Sequence, residues 1–166
     1  LVPQYKENEE TISFLLDSIE SQIHVDKKDI GVIICSDGGE YVLNQEFLDK
    51  YSYDIEYVVC EHRGVSATRN SALLLSDAEY VMFCDCDDVL FSAISLFTVF
   101  RELNDETVMY DFIAIKELDP RGAQPGEAIF EINGPNPVLL HGKVYNRQYL
   151  IDHNIRFTAR LFAWED

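Results

Sequence analysis

The sequence predicts an α/β fold, a Rossmann-like domain in which helices flank a mainly parallel central sheet. Short apolar runs alternate along the chain with segments whose apolar residues recur at helical spacing. Successive runs are not joined by the short turns of a hairpin, so we expect parallel strands linked by right-handed crossovers. The chain has 166 residues, of which 47% are hydrophobic, so it is long enough for one domain with a real core.

The first helix is the clearest of the predicted elements. Asn8 is the expected N-cap, and Glu9 and Glu10 stand in the first turn, where the helix dipole favours acidic residues. The helix is expected to extend to about residue 24, with an apolar face that consists of Ile12, Leu15, Leu16, Ile19 and Ile23.

The other elements follow in order after a strand end and loop in residues 1–7. Strands are expected at residues 30–35, 55–60, 80–84, 108–115 and 138–145. Helices are expected at residues 43–48, 66–75 with Ser66 as N-cap, 94–103, and up to about residue 153 with Asn146 as N-cap. Residues 117–127, which are rich in Pro and Gly, predict a loop.

Composition bounds the function. The formal net charge of -17 argues against a nucleic-acid partner, because phosphate binding needs a basic face. No run is long enough to span a membrane, and no signal peptide is present. Four cysteines, without the spacing of a zinc site, are expected to be reduced thiols, three of them in or at the ends of apolar runs. A cytoplasmic location follows as an expectation, with the inner face of a membrane as the alternative for a longer parent protein.

We predict one domain over residues 1–166, truncated at both ends. Its first strand is expected to be cut short, because the chain opens on Leu1-Val2-Pro3, and the chain stops without a closing element. Residues 1–90 are expected to form a nucleotide-binding half and residues 91–166 an acceptor-side half.

Three carboxylates crowd the end of the run at residues 80–84, which reads as a central strand buried on both faces. Ligands bind at the carboxyl edge of such sheets. If the backbone stays extended, Asp85 and Asp87 project to the same side, and two like charges so close favour a divalent cation between them. The alternative is a solvated acidic turn that caps the next helix.

Five motifs, taken in order, resemble family 2 glycosyltransferases of the GT-A fold. They are Pro3-x-Tyr5, Asp37-Gly38, Gly64-x-Ser66-x-x-Arg69-Asn70, Asp85-x-Asp87-Asp88 and Glu165-Asp166. The resemblance covers essentially the whole chain. It implies an inverting transfer of a sugar from a nucleotide-sugar donor, commonly a UDP-sugar, to a glycan or other hydroxyl acceptor.

The resemblance also implies roles for individual residues. Pro3 and Tyr5 line the base pocket, Asp37 hydrogen-bonds the base, and Asp85 reaches the ribose. Asp87 ligates Mn²⁺ or Mg²⁺ that bridges the diphosphate.

The resemblance extends to the acceptor side of the reaction. Asp166 acts as the general base toward the acceptor hydroxyl, with Glu165 as its neighbour.

Other readings stay open at the level of sequence. Arg69 either meets the diphosphate or pairs with a neighbouring acid. His141 faces the acceptor or is structural, and Tyr145 and Trp164 stack on a sugar or belong to the core.

Two rival functions also remain. The segment from Met82 also resembles the first motif of haloacid-dehalogenase phosphohydrolases, in which Asp85 is the nucleophile and Asp87 the acid/base. A non-catalytic nucleotide-sugar or glycan-binding module is the third reading.

Overall fold

The computed structural model describes residues 1–111, 140 and 142–158. Within them we number the elements in chain order. These are β1 (Val2–Gln4), α1 (Glu9–Glu20), β2 (Gly31–Asp37), α2 (Gln45–Leu48), β3 (Asp54–Cys60), α3 (Val65–Leu75), β4 (Tyr80–Met82), α4 (Ser95–Glu102), β5 (Met109–Asp111), β6 (Lys143–Asn146) and α5 (Arg147–Asp152). A short 3₁₀ helix, Lys27–Asp29, precedes β2.

The strands form a mixed sheet whose first half is parallel. β1 pairs with β2 and β2 with β3, all in the same direction. Leu1 N–H donates to the Met82 carbonyl at 2.7 Å, and Cys84 N–H donates to the Leu1 carbonyl at 3.1 Å. These two bonds have the parallel pattern, so they extend the order to β3-β2-β1-β4 and place β1 and β4 side by side.

The second half of the sheet is antiparallel. β6 lies between β4 and β5 and runs against both. The α/β fold with parallel strands and flanking helices is confirmed by β1, β2 and β3, but the antiparallel strand β6 was not predicted. β5 and β6 are more than thirty residues apart, so no hairpin turn signals their pairing, and apolar periodicity does not report strand direction.

Helices cover both faces of the sheet. On one face, α1 buries Ile12, Leu15 and Leu16 completely against Val32 and Ile34 of β2. The opposite face holds a second cluster, in which Leu73 of α3, Val81, Phe83 and Leu150 of α5 are buried together. Met82 and Cys84 pack on the first cluster, as expected for side chains that alternate along an extended segment. The central strand is therefore covered on both sides, as its apolar run predicted.

Several predicted boundaries shift. Asn8 caps α1 through its side chain, as expected, but the helix ends at Glu20, and His24 beyond it has a positive φ of 63°. Ser66 is not the N-cap of α3. The N-cap is Gly64, whose φ of 87° is a conformation that a residue with a Cβ adopts only at a cost.

Asn146 caps α5 as predicted. In the part of the chain that the structure describes, no helix is long and apolar enough to cross a membrane.

Candidate functional site

The carboxyl ends of four adjacent parallel strands meet at one edge of the sheet. Tyr5 follows β1, Asp37 ends β2, His62 follows β3 and Asp85 follows β4. Because these strands are neighbours, the loops after them line one crevice, which is where open α/β sheets bind ligands. The predicted donor-site residues therefore lie along the same edge.

Asp37 is a buried carboxylate that organises the loop after β3. It is 5% exposed. Its Oδ1 accepts Arg63 N–H at 2.7 Å, and its Oδ2 accepts Gly64 N–H at 3.0 Å and contacts His62 Nδ1 at 2.9 Å. Two of these donors are backbone groups just ahead of α3, where the helix dipole favours a negative charge. Asp37 thus fixes the backbone just ahead of α3, where Gly64, the N-cap, has no side chain to make a capping bond.

The loop after β2 approaches this segment closely. Gly38 has φ 92°, and a Cβ added there would lie 2.9 Å from the His62 Cβ. Gly38 N–H also donates to the Cys60 carbonyl. A glycine is needed here both for the backbone conformation and for the close approach of residue 62.

Tyr5 stacks on His62. The ring centroids are 5.1 Å apart and the planes are inclined by 15°. The Glu7 carboxylate holds the loop after β1 by accepting Tyr5 N–H at 2.7 Å and Lys6 N–H at 3.2 Å. His62 was not assigned from sequence. Its place two residues after a strand end, at the edge of the sheet, is the signal that could have identified it.

The acidic segment after β4 is a turn, so the condition of an extended backbone, under which Asp85 and Asp87 would project to the same side, is not met. Asp88 N–H donates to the Asp85 carbonyl at 3.1 Å, and Asp85 N–H donates to the Asp88 carboxylate at 2.7 Å. Asp88 closes the turn through its own side chain, whereas Asp87 at the tip is exposed. Two of the three carboxylates therefore have structural contacts, and Asp87 faces solvent.

Cys86 fixes this turn to the first strand. Its thiol donates to the Pro3 carbonyl at 3.1 Å, and burial raises the pKa of the Cys86 thiol. Burial also raises the pKa of Cys84, to about 11. All four cysteines are free, so the prediction of reduced thiols is consistent with the structure.

Arg69 joins α3 to the acidic turn. Its Nη2 lies 2.7 Å from Asp85 Oδ1, and only 13% of the arginine side chain is exposed. The guanidinium also lies over the Phe157 ring, with 5.6 Å between its Cζ and the ring centroid. Arg69 therefore lies beside the Asp85 turn, and it pairs with a neighbouring acid, which is one of the two alternatives that the sequence left open.

Asn70 binds a segment that leads toward the end of the chain. Its side-chain amide donates to the Phe157 carbonyl and accepts Phe157 N–H, both at 2.9 Å. The Phe157 ring contacts Phe83 edge-on, and Tyr145 contacts the same phenylalanine. Tyr145 is thus a core residue.

Four residues of the sequence prediction cannot be placed at the site. His141, Trp164, Glu165 and Asp166 lie outside the described residues.

The donor set at the acidic turn fits a cation that is shared with a ligand. No group of three His, Cys, Asp or Glu side chains able to hold a metal occurs within residues 1–111, 140 and 142–158. Mg²⁺ and similar hard cations are commonly held by one or two carboxylates together with substrate phosphates and water. An exposed Asp87 beside a crevice meets that requirement.

The chain matches a known protein family over nearly its whole length. The family model described as "Glycosyl transferase family 2" matches residues 1–162. A poly(ribitol-phosphate) beta-glucosyltransferase of Bacillus spizizenii is 27% identical over 181 aligned positions, which take in 100% of this chain and 27% of that protein. The chain thus spans about a quarter of the length of this curated relative.

Two solved structures share the fold. S. aureus TarS 1-349 in complex with UDP has a TM-score of 0.70 at 21% identity, over 95% of this chain and 49% of that one. Mannosyltransferase PcManGT from Pyrobaculum calidifontis, in complex with GDP-Man and Mn²⁺, has a TM-score of 0.62 at 19% identity, over 92% and 45% of the two chains.

Proposed function

The chain belongs to glycosyl transferase family 2, and we propose that it is the donor-binding part of an inverting, metal-dependent glycosyltransferase. Its fold is of the GT-A type, as in the two structural neighbours. The observation that carries the proposal is the shared crevice, in which the Tyr5 ring after β1 and the carboxylates of Asp37 and Asp85, after β2 and β4, lie along one edge.

The proposed donor is a UDP-sugar. The TarS neighbour was solved with UDP, which supports the choice, and PcManGT with GDP-Man makes a GDP-sugar the alternative. The Tyr5 ring and the Pro3 backbone would line the base pocket, and Asp37 would accept a hydrogen bond from the base. Asp85 would reach the ribose while Arg69 holds its other side.

Asp87 would hold Mn²⁺ or Mg²⁺, and the bound cation would neutralise the charge that develops on the leaving nucleoside diphosphate. The exposed position of Asp87 at the tip of its turn supports this role. Asp88 and Cys86 then act on the backbone, since their contacts fix the turn that presents Asp87.

The acceptor is proposed to be a hydroxyl of a glycan or a related polymer. The name of the Bacillus relative specifies poly(ribitol-phosphate), a polymer with hydroxyl groups.

Asp166, with Glu165 beside it, is the proposed base that takes the proton from the attacking hydroxyl. Asp166→Asn should lower the transfer rate about 10²- to 10⁴-fold and spare donor binding, because only the proton acceptor is lost. Unchanged turnover in that variant would assign the proton to another group.

Rival functions differ in testable ways. Membership of a glycosyltransferase family removes the support for the haloacid-dehalogenase reading, in which Asp85 is a free nucleophile. A non-catalytic sugar-binding module would bind the donor in a metal-dependent way without turnover.

The cytoplasmic location stays a proposal, to be checked by fractionation of cells that express the full-length protein.

A thermal-shift experiment tests donor binding directly. The protein is melted alone and with UDP, GDP, CDP or ADP, each with and without MnCl₂. A nucleotide at about a hundred times its dissociation constant stabilises the folded state by about 2.7 kcal/mol, enough for a clear shift in Tm. We expect UDP to give the largest shift, and only with Mn²⁺. Equal shifts with and without metal would remove the metal from the proposal, and the absence of any nucleotide effect would contradict donor binding.

A further inference from the structure

The His62 ring makes the two contacts that the proposed function assigns to the donor base. It stacks on Tyr5, with 5.1 Å between ring centroids and 15° between planes. Its Nδ1 lies 2.9 Å from Asp37 Oδ2. A flat heteroaromatic ring therefore lies on Tyr5, which is proposed to line the base pocket, while one of its nitrogens meets Asp37, the carboxylate proposed to bind the base.

The base cannot enter while the ring stays there. Stacked aromatic carbons sit about 3.5–4.0 Å apart, so a ring placed between Tyr5 and His62 would need about 7–8 Å between them. The observed separation is 5.1 Å. A nucleobase that uses this face of Tyr5 must therefore displace the histidine.

The histidine ring is free to leave without disturbing the loop. Its side chain is 62% exposed, while Asp37 is almost completely buried. The Asp37 carboxylate keeps its bonds to Arg63 N–H and Gly64 N–H when the ring moves, so its position is fixed independently. Gly38 lies against the His62 Cβ, so the backbone is held and the motion is a rotation of the side chain.

We propose that His62 is an intramolecular stand-in for the nucleobase, which closes the base pocket in the free protein and swings out when the nucleotide binds. This inference rests on the proposed function, because it uses Tyr5 and Asp37 as the base contacts. In the open state one acceptor position on Asp37 Oδ2 is released. A carboxylate accepts hydrogen bonds only, so the pocket favours a base with a ring N–H.

Uracil and guanine have such a ring N–H. Cytosine and adenine present a lone pair at the corresponding ring nitrogen, which the carboxylate repels. The stand-in and the true ligand thus compete for the same acceptor, and the free energy of closure is subtracted from nucleotide affinity.

The test compares UDP affinity by isothermal titration calorimetry, in the presence of Mg²⁺, for the unmodified protein and His62→Ala. If the closed state makes up about 70–90% of the free protein, its removal tightens UDP binding about three- to tenfold. His62→Phe, which keeps a ring for Tyr5 but offers no donor to Asp37, should show a smaller gain. His153→Ala is the matched control, because His153 is also an exposed histidine stacked on a tyrosine, Tyr149, and is the C-cap of α5, away from the crevice.

The outcomes separate this inference from the proposed function. Tighter UDP binding by His62→Ala, with no change in His153→Ala, supports the stand-in. UDP binding that is unchanged or weaker in His62→Ala overturns the stand-in, because the histidine is then inert or a contact of the bound nucleotide, and donor binding itself still stands. If neither the unmodified protein nor His62→Ala binds UDP or GDP, both the stand-in and the proposed donor binding fail.

Discussion

Removal of the Asp37 carboxylate should destabilise the fold as well as the site. Asp37→Ala deletes the acceptor of two backbone N–H groups and leaves them at a partly buried helix start. Hydrogen bonds to charged groups contribute about 1.5–3 kcal/mol each, and water can reach this edge of the sheet, so we take the lower part of the range. The expected loss is about 3–4 kcal/mol of unfolding free energy, or about 6–16 °C in Tm for a chain of this size.

Asp37→Asn should lose about half as much, because the amide keeps one acceptor oxygen while its NH₂ group faces a donor. Urea unfolding followed by circular dichroism gives the free energies. The control is Asp77→Ala, an exposed aspartate ahead of β4 at the opposite edge, whose effect should stay within about 0.5 kcal/mol. If Asp37→Ala unfolds at the same urea concentration as the control, Asp37 does not hold the loop after β3.

Three further predictions concern single side chains. Asp87→Asn should abolish the Mn²⁺-dependent part of the UDP thermal shift and leave the Tm of the free protein unchanged, because the substitution lies at the exposed tip of a turn. The control Asp77→Asn should change neither quantity. A full metal-dependent shift in Asp87→Asn would count against Asp87 as a metal ligand. Asn70→Ala should lower the free energy of unfolding by about 1–3 kcal/mol, the sum of its two hydrogen bonds to Phe157, and should speed hydrogen exchange at Phe157 N–H. Unaltered exchange there would mean that other contacts hold the segment. With a pKa of about 11, Cys84 is almost entirely thiol at pH 8, so iodoacetamide should alkylate it about 200-fold more slowly than a free peptide thiol. The rate of alkylation, followed by mass spectrometry, should increase as the pH rises. A peptide-like rate at pH 8 would contradict the burial of Cys84.

The sequence was most informative where one physical requirement decides the outcome. Ile12, Leu15 and Leu16 share one face of a helix that must be buried, and all three are fully buried. Asn8 and Asn146 were recognised as caps because their side chains satisfy local N–H groups. Ser66 is not a cap because α3 already begins at Val65, after Gly64, and the turn at Gly64 is held by a distant residue, Asp37, which accepts the Gly64 N–H.

The candidate site was predictable as a set of strand ends but not as a set of contacts. Because parallel strands end at one edge, Tyr5, Asp37 and Asp85 were expected to lie near one another. The partner of each side chain depends on the loops. His62 and Arg69 belong to the segment between β3 and β4, and their pairing with Asp37 and Asp85 follows from how that segment folds back over the sheet.

Strand direction and turn geometry were also beyond the sequence pattern. β6 is only four residues long, and its two apolar residues, Val144 and Tyr145, suit either strand direction, so its antiparallel pairing with β4 is set by tertiary structure. The acidic segment turns at Asp85 because Asp88 bonds back to its N–H, a local competition that the count of carboxylates does not reveal.

The measurement that tests the account most directly is a titration of ¹⁵N-labelled protein with UDP and Mg²⁺, followed by two-dimensional NMR. The account predicts that amide shifts cluster at the carboxyl ends of β1, β2 and β4 and in the loop after β3, with the largest changes at Tyr5, Gly38, His62 and Cys86. Saturable changes confined to other parts of the described chain, such as the apolar groove between β2 and α4, would contradict it, as would a spectrum that UDP leaves unchanged.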